Sequence, residues 1–402
     1  MAGSPDFRRL FLAQTISRWG DTFGSVALVI LVFRLTGSGL KVGATIAFEI
    51  APVLLLGFAA GAFVDRRSRR SVMIAADVAR AAVALVLAVF DSTLAAAYAA
   101  AFGLSAGTVF FNPAAASLLP ALVERKDLVT ANSALWSAAV LSQIALAPVA
   151  GALVAFAGAG PAFAVNAASF LVSAAFLRRL PEPSTAATPS AGRSRADVAE
   201  GLRIIRRSRL LRPLAAVQAL AALSAGATSA LLVVLAERHL GVGPSRFGIL
   251  IAAIGVGAGL GPLVLRRLLT DAPQRPGLLF GPYLLRGGVD LTLAASRQFG
   301  VAVGALAVYG VGTSTGMVTY NSLLQAAVPD RLRGRVFAFY DVVWQTARLV
   351  SIGAGGVLAD EVGIRAVYVM GGLLLLAAGA IGLATLRPAR LRAAVDELAA
   401  YS

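Results

Sequence analysis

Cysteine is absent from this chain of 402 residues, histidine occurs once, and charged residues make up only 14%. The lack of cysteine excludes disulfides and thiolate metal sites. The single histidine, His239, cannot by itself form a metal site or a Ser-His-Asp triad, and its place at the end of an apolar run favours an interfacial residue over a pH sensor. No G-x-x-x-x-G-K-[ST] phosphate-binding loop occurs, which argues against an ATP-driven pump. We therefore expect no metal, no cofactor and no enzymatic activity.

Apolar residues dominate the composition: 58% of the chain is hydrophobic and the mean hydropathy is +0.80. A soluble core of this length could not bury so much apolar surface, because most of the surface of any globule is solvated. Apolar runs of about 20 residues recur, and each is long enough to cross roughly 30 Å of hydrocarbon as a helix. The runs lack the alternation typical of barrel strands, so the sequence predicts an all-α membrane protein.

Twelve such runs divide the chain into two sets of six. The predicted N-terminal spans are about 10–33, 43–63, 72–90, 94–116, 131–157 and 160–177. The predicted C-terminal spans are about 213–236, 247–268, 277–295, 300–321, 336–359 and 365–386. We expect an N-terminal bundle over 1–180, a cytoplasmic linker over 181–212, and a C-terminal bundle with a short tail over 213–402. The linker is rich in Pro, Ser, Ala and Arg, which indicates a flexible segment followed by a short basic helix on the membrane surface over 196–209.

Basic residues outnumber acidic ones by 36 to 20, and the net charge is +16. Most of these lysines and arginines fall on the side of the twelve spans that holds both termini, which the positive-inside rule places in the cytoplasm. The charge therefore reflects membrane topology. The sequence contains no basic stripe interleaved with aromatic residues, so nothing in it indicates a nucleic-acid partner. The N-terminal segment leads directly into the first span, so we expect an uncleaved anchor in the inner (plasma) membrane.

The ends of the fourth and tenth spans repeat one pattern, in which an asparagine is followed by a proline, a charged loop and a tryptophan in the next span. The matching pairs are Asn112 with Asn321, Pro120 with Pro329, and Trp136 with Trp344. Three matches in order, at nearly one separation, indicate a duplicated six-helix unit. Six-helix halves related by an axis along the membrane normal are typical of transporters, whose substrate site lies between the halves near the midplane.

A charged loop, GAFVDRRSRR at 61–70, joins the second and third spans. It resembles the loop signature G-x-x-x-D-R-x-G-R-R of the major facilitator superfamily, with Ser68 in place of the second glycine. The matching residues are Gly61, Asp65, Arg66, Arg69 and Arg70. In the second half of the chain, the segment 259–268 matches this signature only in part and has no aspartate.

This resemblance implies a major facilitator fold, in which two pseudo-symmetric six-helix bundles move against each other and the loop acts as a cytoplasmic gate. Asp65 would contact the N-terminus of the eleventh span, where the helix dipole carries about half a positive charge. The alternative is that the loop arginines only anchor the loop on the cytoplasmic side.

Two further resemblances concern the branch of the superfamily. In the fifth span, APVAGA at 147–152 is similar to the G-P-x-x-G-G element of the antiporter branch through Pro148 and Gly151, which favours export over simple packing of small residues. The loop-and-span segments are similar to a bacterial branch that contains the enterobactin exporter and macrolide-efflux proteins. These segments are SRWGD at 17–21, DVAR at 77–80 and RLRGRVF at 331–337.

Two acids within the spans are candidates for proton coupling. Asp21 lies near the midplane of the first span, and Arg18 precedes it by three residues on the same helix face. Glu49 lies in the second span with no basic residue three or four positions away. A carboxyl group in an apolar setting can hold a proton near neutral pH, as a proton antiporter requires. For Glu49, an interhelical hydrogen bond is an equal alternative.

Other charges within the spans have structural interpretations. Asp77 and Arg80 in the third span are expected to form a structural ion pair with the 65–70 loop, as part of the gate. Arg286 and Asp290 in the ninth span have the same interpretation.

The eleventh span carries two charges on one side, Asp341 and Arg348. Asp341 is expected to meet the loop arginines and Arg348 to reach the cavity or an anionic substrate. Polar and aromatic residues along the spans are candidates for the substrate cavity, although helix packing explains each of them as well. The candidates are Arg18, Asn112, Gln143, Gln218, Tyr309, Thr313, Asn321, Trp344, Gln345 and Arg348.

The sequence as a whole predicts a monomeric, proton-coupled exporter of small amphipathic molecules, such as drugs or siderophore-like compounds, that works by alternating access. Its expected partners are the substrate, protons and membrane lipid. An importer, symporter or uniporter of the same fold is the main alternative, and a non-transporting scaffold or sensor is a weaker one.

Overall fold

A computed structural model describes residues 5–91, 93–124, 127–181, 208–268, 275–328, 330–391 and 393. Over these residues the chain forms twelve long helices and no β-strand. The first six are α1 (Pro5–Thr36), α2 (Gly39–Asp65), α3 (Arg69–Val89), α4 (Leu94–Leu122), α5 (Leu128–Ala157) and α6 (Ala159–Leu177). The second six are α7 (Leu211–Ala230), α8 (Pro244–Leu268), α9 (Pro276–Ala295), α10 (Phe299–Ala327), α11 (Asp330–Glu361) and α12 (Ile364–Thr385). The predicted all-α fold is therefore confirmed.

Eleven of these helices are long and apolar enough to cross a membrane. The remaining helix, α9, is of similar length, but Arg286 and Asp290 in its sequence lower its hydropathy. A helix that satisfies its own backbone hydrogen bonds is the expected form of a chain in hydrocarbon, where water is not available to bind peptide groups.

Short turns separate several of the helices in the first set. The hydroxyl groups of Ser38, Ser68 and Thr93 accept hydrogen bonds of 3.2–3.3 Å from the backbone N–H three residues later, so they cap α2, α3 and α4. Gly158 alone separates α5 from α6, and its φ of +83° is a conformation that glycine adopts without a steric penalty.

The helices extend beyond the predicted spans, because the thickness of the membrane limits the apolar run and not the helix. Thus α1 begins at Pro5 and α11 at Asp330. The seventh span was predicted as continuous, whereas α7 ends at Ala230 and is followed by a one-turn helix and a π-helical turn, Leu235–His239. The predicted surface helix over 196–209 lies outside the described residues, apart from Ser208 and Arg209, which precede α7.

Contacts divide the chain into two compact units. Unit 1 is Met1–Gly192 with Gly243–Ala252, and unit 2 is Arg193–Val242 with Ala253–Ser402. In unit 1, α1 packs against α5 and α6, and α3 packs against α4 and α6. In unit 2, α7 packs against α11 and α12, and α9 packs against α10 and α12. The helix pairings of the first half therefore recur in the second, as expected of a duplicated six-helix unit.

Candidate functional site

A buried ion pair occupies the middle of unit 1. Asp77 and Arg80 of α3 are bound to each other, and their side chains are 0% and 3% exposed. The Arg80 guanidinium lies 4.6 Å from the ring centre of Phe111 and 4.3 Å from that of Phe170. Its Nη1 also donates to the hydroxyl of Thr108 at 3.3 Å. We call these five residues the α3 cluster.

The neighbouring helix, α4, leaves space for the side chain of this arginine. A Cβ atom on Gly107 of α4 would lie 2.5 Å from Cγ and 3.0 Å from Cδ of Arg80, so a larger residue there would displace the arginine stem. Two aromatic faces and one carboxylate then compensate for part of the loss of water around the guanidinium. Among the described residues, Arg80 Nε has no hydrogen-bond partner, and the Ser173 hydroxyl of α6 interacts with the Asp77 carboxylate. The cluster is thus polar, buried and incompletely satisfied.

Asp21 of α1 belongs electrostatically to the same group. Arg80 is the stronger of the two arginines that act on its carboxylate, and Arg18 is the other. Asp77 also interacts with Asp21, so two carboxylates share the charge of Arg80. The sequence suggested Arg18 as the partner of Asp21 and assigned Arg80 to the gate. It contained no signal that the third span would supply the counter-charge.

A second cluster with the same plan lies in unit 2. Arg286 of α9 donates from Nη2 to the Tyr309 hydroxyl at 2.8 Å, and its guanidinium lies 4.7 Å from the centre of that ring. Asp290, one turn later on α9, interacts electrostatically with Arg286 and accepts a hydrogen bond of 3.5 Å from the Ser224 hydroxyl of α7. Gly312 of α10 gives Arg286 its space, since a Cβ there would lie 2.9 Å from Cγ of the arginine.

The two clusters correspond element by element. Each has its arginine on the third helix of its unit, a glycine on the fourth helix beside the arginine stem, and a carboxylate within one turn of the arginine. They differ at the first helix, where α1 brings a carboxylate and α7 brings only a hydroxyl. Of the two clusters, therefore, the one in unit 1 has a titratable group on its first helix and the one in unit 2 does not.

The loop arginines hold helix ends within unit 1. Arg69 Nη1 donates to the Ser117 carbonyl of α4 at 3.0 Å, and Arg70 Nη1 donates to the Leu180 carbonyl beyond α6 at 2.8 Å. Arg66 is exposed, and a side chain at Gly61 would point into open space. The side chain of Asp65, at the end of α2, lies outside the described part of the structure, and Asp341 is exposed on α11.

The remaining candidates fall into different environments. Glu49 is half-buried on α2, where its backbone carbonyl accepts a hydrogen bond from the Ser105 hydroxyl. Gln218 accepts a hydrogen bond of 3.4 Å from Tyr283, and the Thr313 hydroxyl donates to the Tyr309 carbonyl of its own helix. Asn112 and Gln143 are exposed. Four further candidates are also half-buried: Asn321, Trp344, Gln345 and Arg348.

The element with Pro148 and Gly151 lies at a close helix crossing within unit 1. A Cβ on Gly151 would lie 3.2 Å from the backbone nitrogen of Gly248, in the first part of α8, and would also meet the Pro244 carbonyl. In turn, a Cβ on Gly248 would lie 2.8 Å from Cα of Pro148. Small residues are therefore required on both sides of this crossing.

A chain whose described residues form twelve membrane-length helices, two units of the same plan and, in each unit, a buried arginine with a carboxylate one turn away is a membrane transporter of the major facilitator type. The chain belongs to the transmembrane secretion effector family, whose model matches residues 3–399. It is thus a multi-pass membrane protein of a bacterial transporter family, and the predicted membership of the major facilitator superfamily is confirmed.

The similar proteins support this assignment over nearly the whole length. The chain is 28% identical over 387 residues to an uncharacterized MFS-type transporter, YfiS, of Bacillus subtilis (strain 168), covering 93% of this chain and 91% of that protein. It is 22% identical over 379 residues to macrolide efflux protein A of Streptococcus pyogenes, covering 92% and 93%. Its fold resembles the crystal structure of a bacterial homologue of the iron transporter ferroportin in the inward-facing state, with a TM-score of 0.74, 18% identity and coverage of 95% and 98%.

Proposed function

We propose that this transporter exports small amphipathic molecules in exchange for protons, by alternating access, in the bacterial plasma membrane with both termini in the cytoplasm. The observation that carries the proposal is the position of Asp21 beside the α3 cluster. A membrane-embedded carboxylate is costly to maintain, and such a group in a transporter is by default a candidate for proton or substrate coupling. The similarity to a macrolide efflux protein supports the export direction and the amphipathic substrate class.

The α3 cluster supplies a physical basis for coupling. When Asp21 is ionised, Arg80 is shared between two carboxylates; when Asp21 carries a proton, only Asp77 balances Arg80. Proton uptake by Asp21 therefore changes by one unit the net charge that Asp21 and the α3 cluster carry together. A conformational step that changes the access of water to this group will favour one protonation state over the other. Arg18, which is exposed and acts on the same carboxylate, is the residue best placed to respond to a bound substrate.

The test uses inverted membrane vesicles with an imposed pH gradient and a panel of labelled macrolides and other amphipathic drugs. We expect the wild type to accumulate at least one compound and to lose this accumulation when a protonophore is added. Asp21→Asn should lose gradient-driven accumulation, because its amide cannot exchange a proton, while substrate exchange at equal concentrations persists.

Asp6→Asn is a matched control on the same helix. Asp6 is bound to Arg9 at 2.7 Å near the start of α1, and both side chains are partly exposed, so its loss should leave transport unchanged. Full gradient-driven accumulation by Asp21→Asn would reject the coupling role of this carboxylate. Movement of substrate out of inverted vesicles under the same gradient would indicate an importer or symporter instead.

A further inference from the structure

A cavity of about 680 Å³ opens in unit 2 where α7 begins and α12 ends. Three arginines line it: Arg209 and Arg212 at the start of α7, and Arg390 after the end of α12. All three are exposed. The lining that the structure describes contains no Asp or Glu, so the cavity is strongly electropositive.

The other walls of this cavity are apolar. Ala216 of α7 and Ile381 and Leu386 at the end of α12 contribute to its lining. An occupant that matches both surfaces has an anionic group next to an apolar body. Arginine suits such a ligand, since its planar guanidinium binds phosphate oxygens with two parallel hydrogen bonds.

An apolar stripe continues from the cavity along the outer face of α12. Leu373 is 56% exposed and Ile381 is 38% exposed, and Ala377 and Ala384 lie on the same face at helical spacing. In a membrane-spanning helix such a face lies against lipid tails. An acyl chain that follows this stripe would bring its headgroup to the three arginines.

The position of the cavity relative to the membrane fits the same ligand. Arg209 precedes one membrane-length helix, Arg212 lies in its first turn, and Arg390 follows another such helix, so the cavity lies at one membrane surface. The distribution of basic residues predicts that this is the cytoplasmic surface. Basic pockets between spanning helices at that surface are suited to anionic lipid headgroups.

From these observations we infer that the cavity between the start of α7 and the end of α12 binds the headgroup of an anionic phospholipid, with its acyl chains along α12. The shared chemistry is a phosphate ester, but the apolar walls and the stripe on α12 commit the site to a lipid and not to a free phosphate. The inference does not depend on the direction of transport or on proton coupling.

The test measures lipid binding to the purified full-length protein by native mass spectrometry during titration with phosphatidylglycerol. We expect saturable binding, with phosphatidylcholine at least fivefold weaker. The double variant Arg212→Gln, Arg390→Gln should bind phosphatidylglycerol at least fivefold more weakly, since a single basic residue near an anionic surface contributes about a fivefold factor. Arg275→Gln, an exposed arginine just before α9 in the same unit, is the matched control and should bind like the wild type.

A second variant separates lost binding from lost folding. Ala216→Phe leaves every charge in place and fills part of the cavity, so it should weaken phosphatidylglycerol binding at least fivefold at an unchanged melting temperature. Wild-type affinity in this variant or in the double arginine variant would overturn the inference. So would equal weakening by Arg275→Gln, which would indicate only a general surface potential.

Two other occupants are distinguished by added arms of the experiment. Competition by glycerol 1-phosphate at the same concentration as the lipid would show that the site takes a free anion, and would overturn the inference. The chain's own Asp396 and Glu397 are the second alternative. If Asp396→Asn, Glu397→Gln raised phosphatidylglycerol binding at least fivefold, the tail and not lipid would be the resident ligand. We expect no change in either arm.

Discussion

At the scale of single residues, His239 is the titratable group whose surroundings best define a response to pH. It ends the π-helical turn after α7, is 7% exposed, and its Nε2–H donates to the Ser296 carbonyl at 3.2 Å. Burial lowers the pKa of His239 below its usual value of 6.5, and Arg297 and Arg365 lower this pKa further. The backbone hydrogen bonds to Ser296 and Leu293 oppose this shift without reversing it. The folded protein therefore favours the neutral imidazole over the protonated form.

The sign of the resulting pH dependence follows from linkage. Well above pH 6.5 the imidazole is neutral in both the folded and the unfolded state. As the pH falls below 6.5, the unfolded state takes up the proton first, so the protein loses stability. We predict that the melting temperature of the detergent-solubilised wild type falls between pH 7.5 and pH 5.5 more steeply than that of His239→Gln. The glutamine amide can still donate to Ser296 but does not titrate. Parallel pH profiles of the two proteins would contradict the prediction.

At the scale of helices, the apolar runs do not specify which helices pack together or how closely. The contact between α1 and α6 is an example. Gly20 of α1 faces Ser169 and Asn166 of α6, and a Cβ at Gly20 would lie 2.7 Å from the Ser169 Cβ and 2.8 Å from the Asn166 Oδ1. The helix backbones approach closely here, as is typical of membrane helices that pack through small residues. This crossing also positions Asp21, which directly follows Gly20.

A glycine-to-alanine comparison tests whether this close approach is required. Gly20→Ala should lower the melting temperature, because the added methyl group forces α1 away from α6. Gly57→Ala in α2 is the matched control. A side chain at Gly57 would meet no atom within 4 Å, so alanine should leave the melting temperature unchanged or raise it slightly through its higher helix propensity. Equal melting temperatures for Gly20→Ala and the wild type would show that the crossing can relax.

The helices themselves were largely predictable, whereas their contacts were not. Each apolar run specifies a membrane-length helix by its own length and composition, so all twelve were found with edges that differ by a few residues. The break after Ala230 was missed because π-helical turns leave no distinct pattern in sequence. The Asp77–Arg80 pair was visible at helical spacing, but its link to Asp21 joins helices far apart in sequence. The cavity that Arg212 and Arg390 share was not predicted either, because these two residues are also far apart in sequence.

At the scale of the whole molecule, the duplication predicted from three matched pairs is supported by corresponding packing and by corresponding arginine clusters. The agreement reaches the level of single glycines, since Gly107 and Gly312 admit the arginines Arg80 and Arg286. Asp21 is one position at which this symmetry is broken. In a duplicated architecture, a residue that departs from the common plan is the best candidate for a function that only one half performs, and this supports the choice of Asp21 for the coupling experiment.

The lack of cysteine makes the topology of the whole chain directly measurable, because any thiol introduced into it is unique. The charge distribution predicts that Lys41 and Arg297 face the outside, while Arg67 and Arg387 face the cytoplasm. All four side chains are exposed near helix ends, two in each unit. In intact cells, a membrane-impermeant maleimide should label Lys41→Cys and Arg297→Cys. It should label Arg67→Cys and Arg387→Cys only after permeabilisation, and the unsubstituted protein not at all. Labelling of Arg67→Cys and Arg387→Cys from opposite sides would contradict an even number of spans between them, and with it the duplicated twelve-helix architecture on which the coupling and lipid proposals depend.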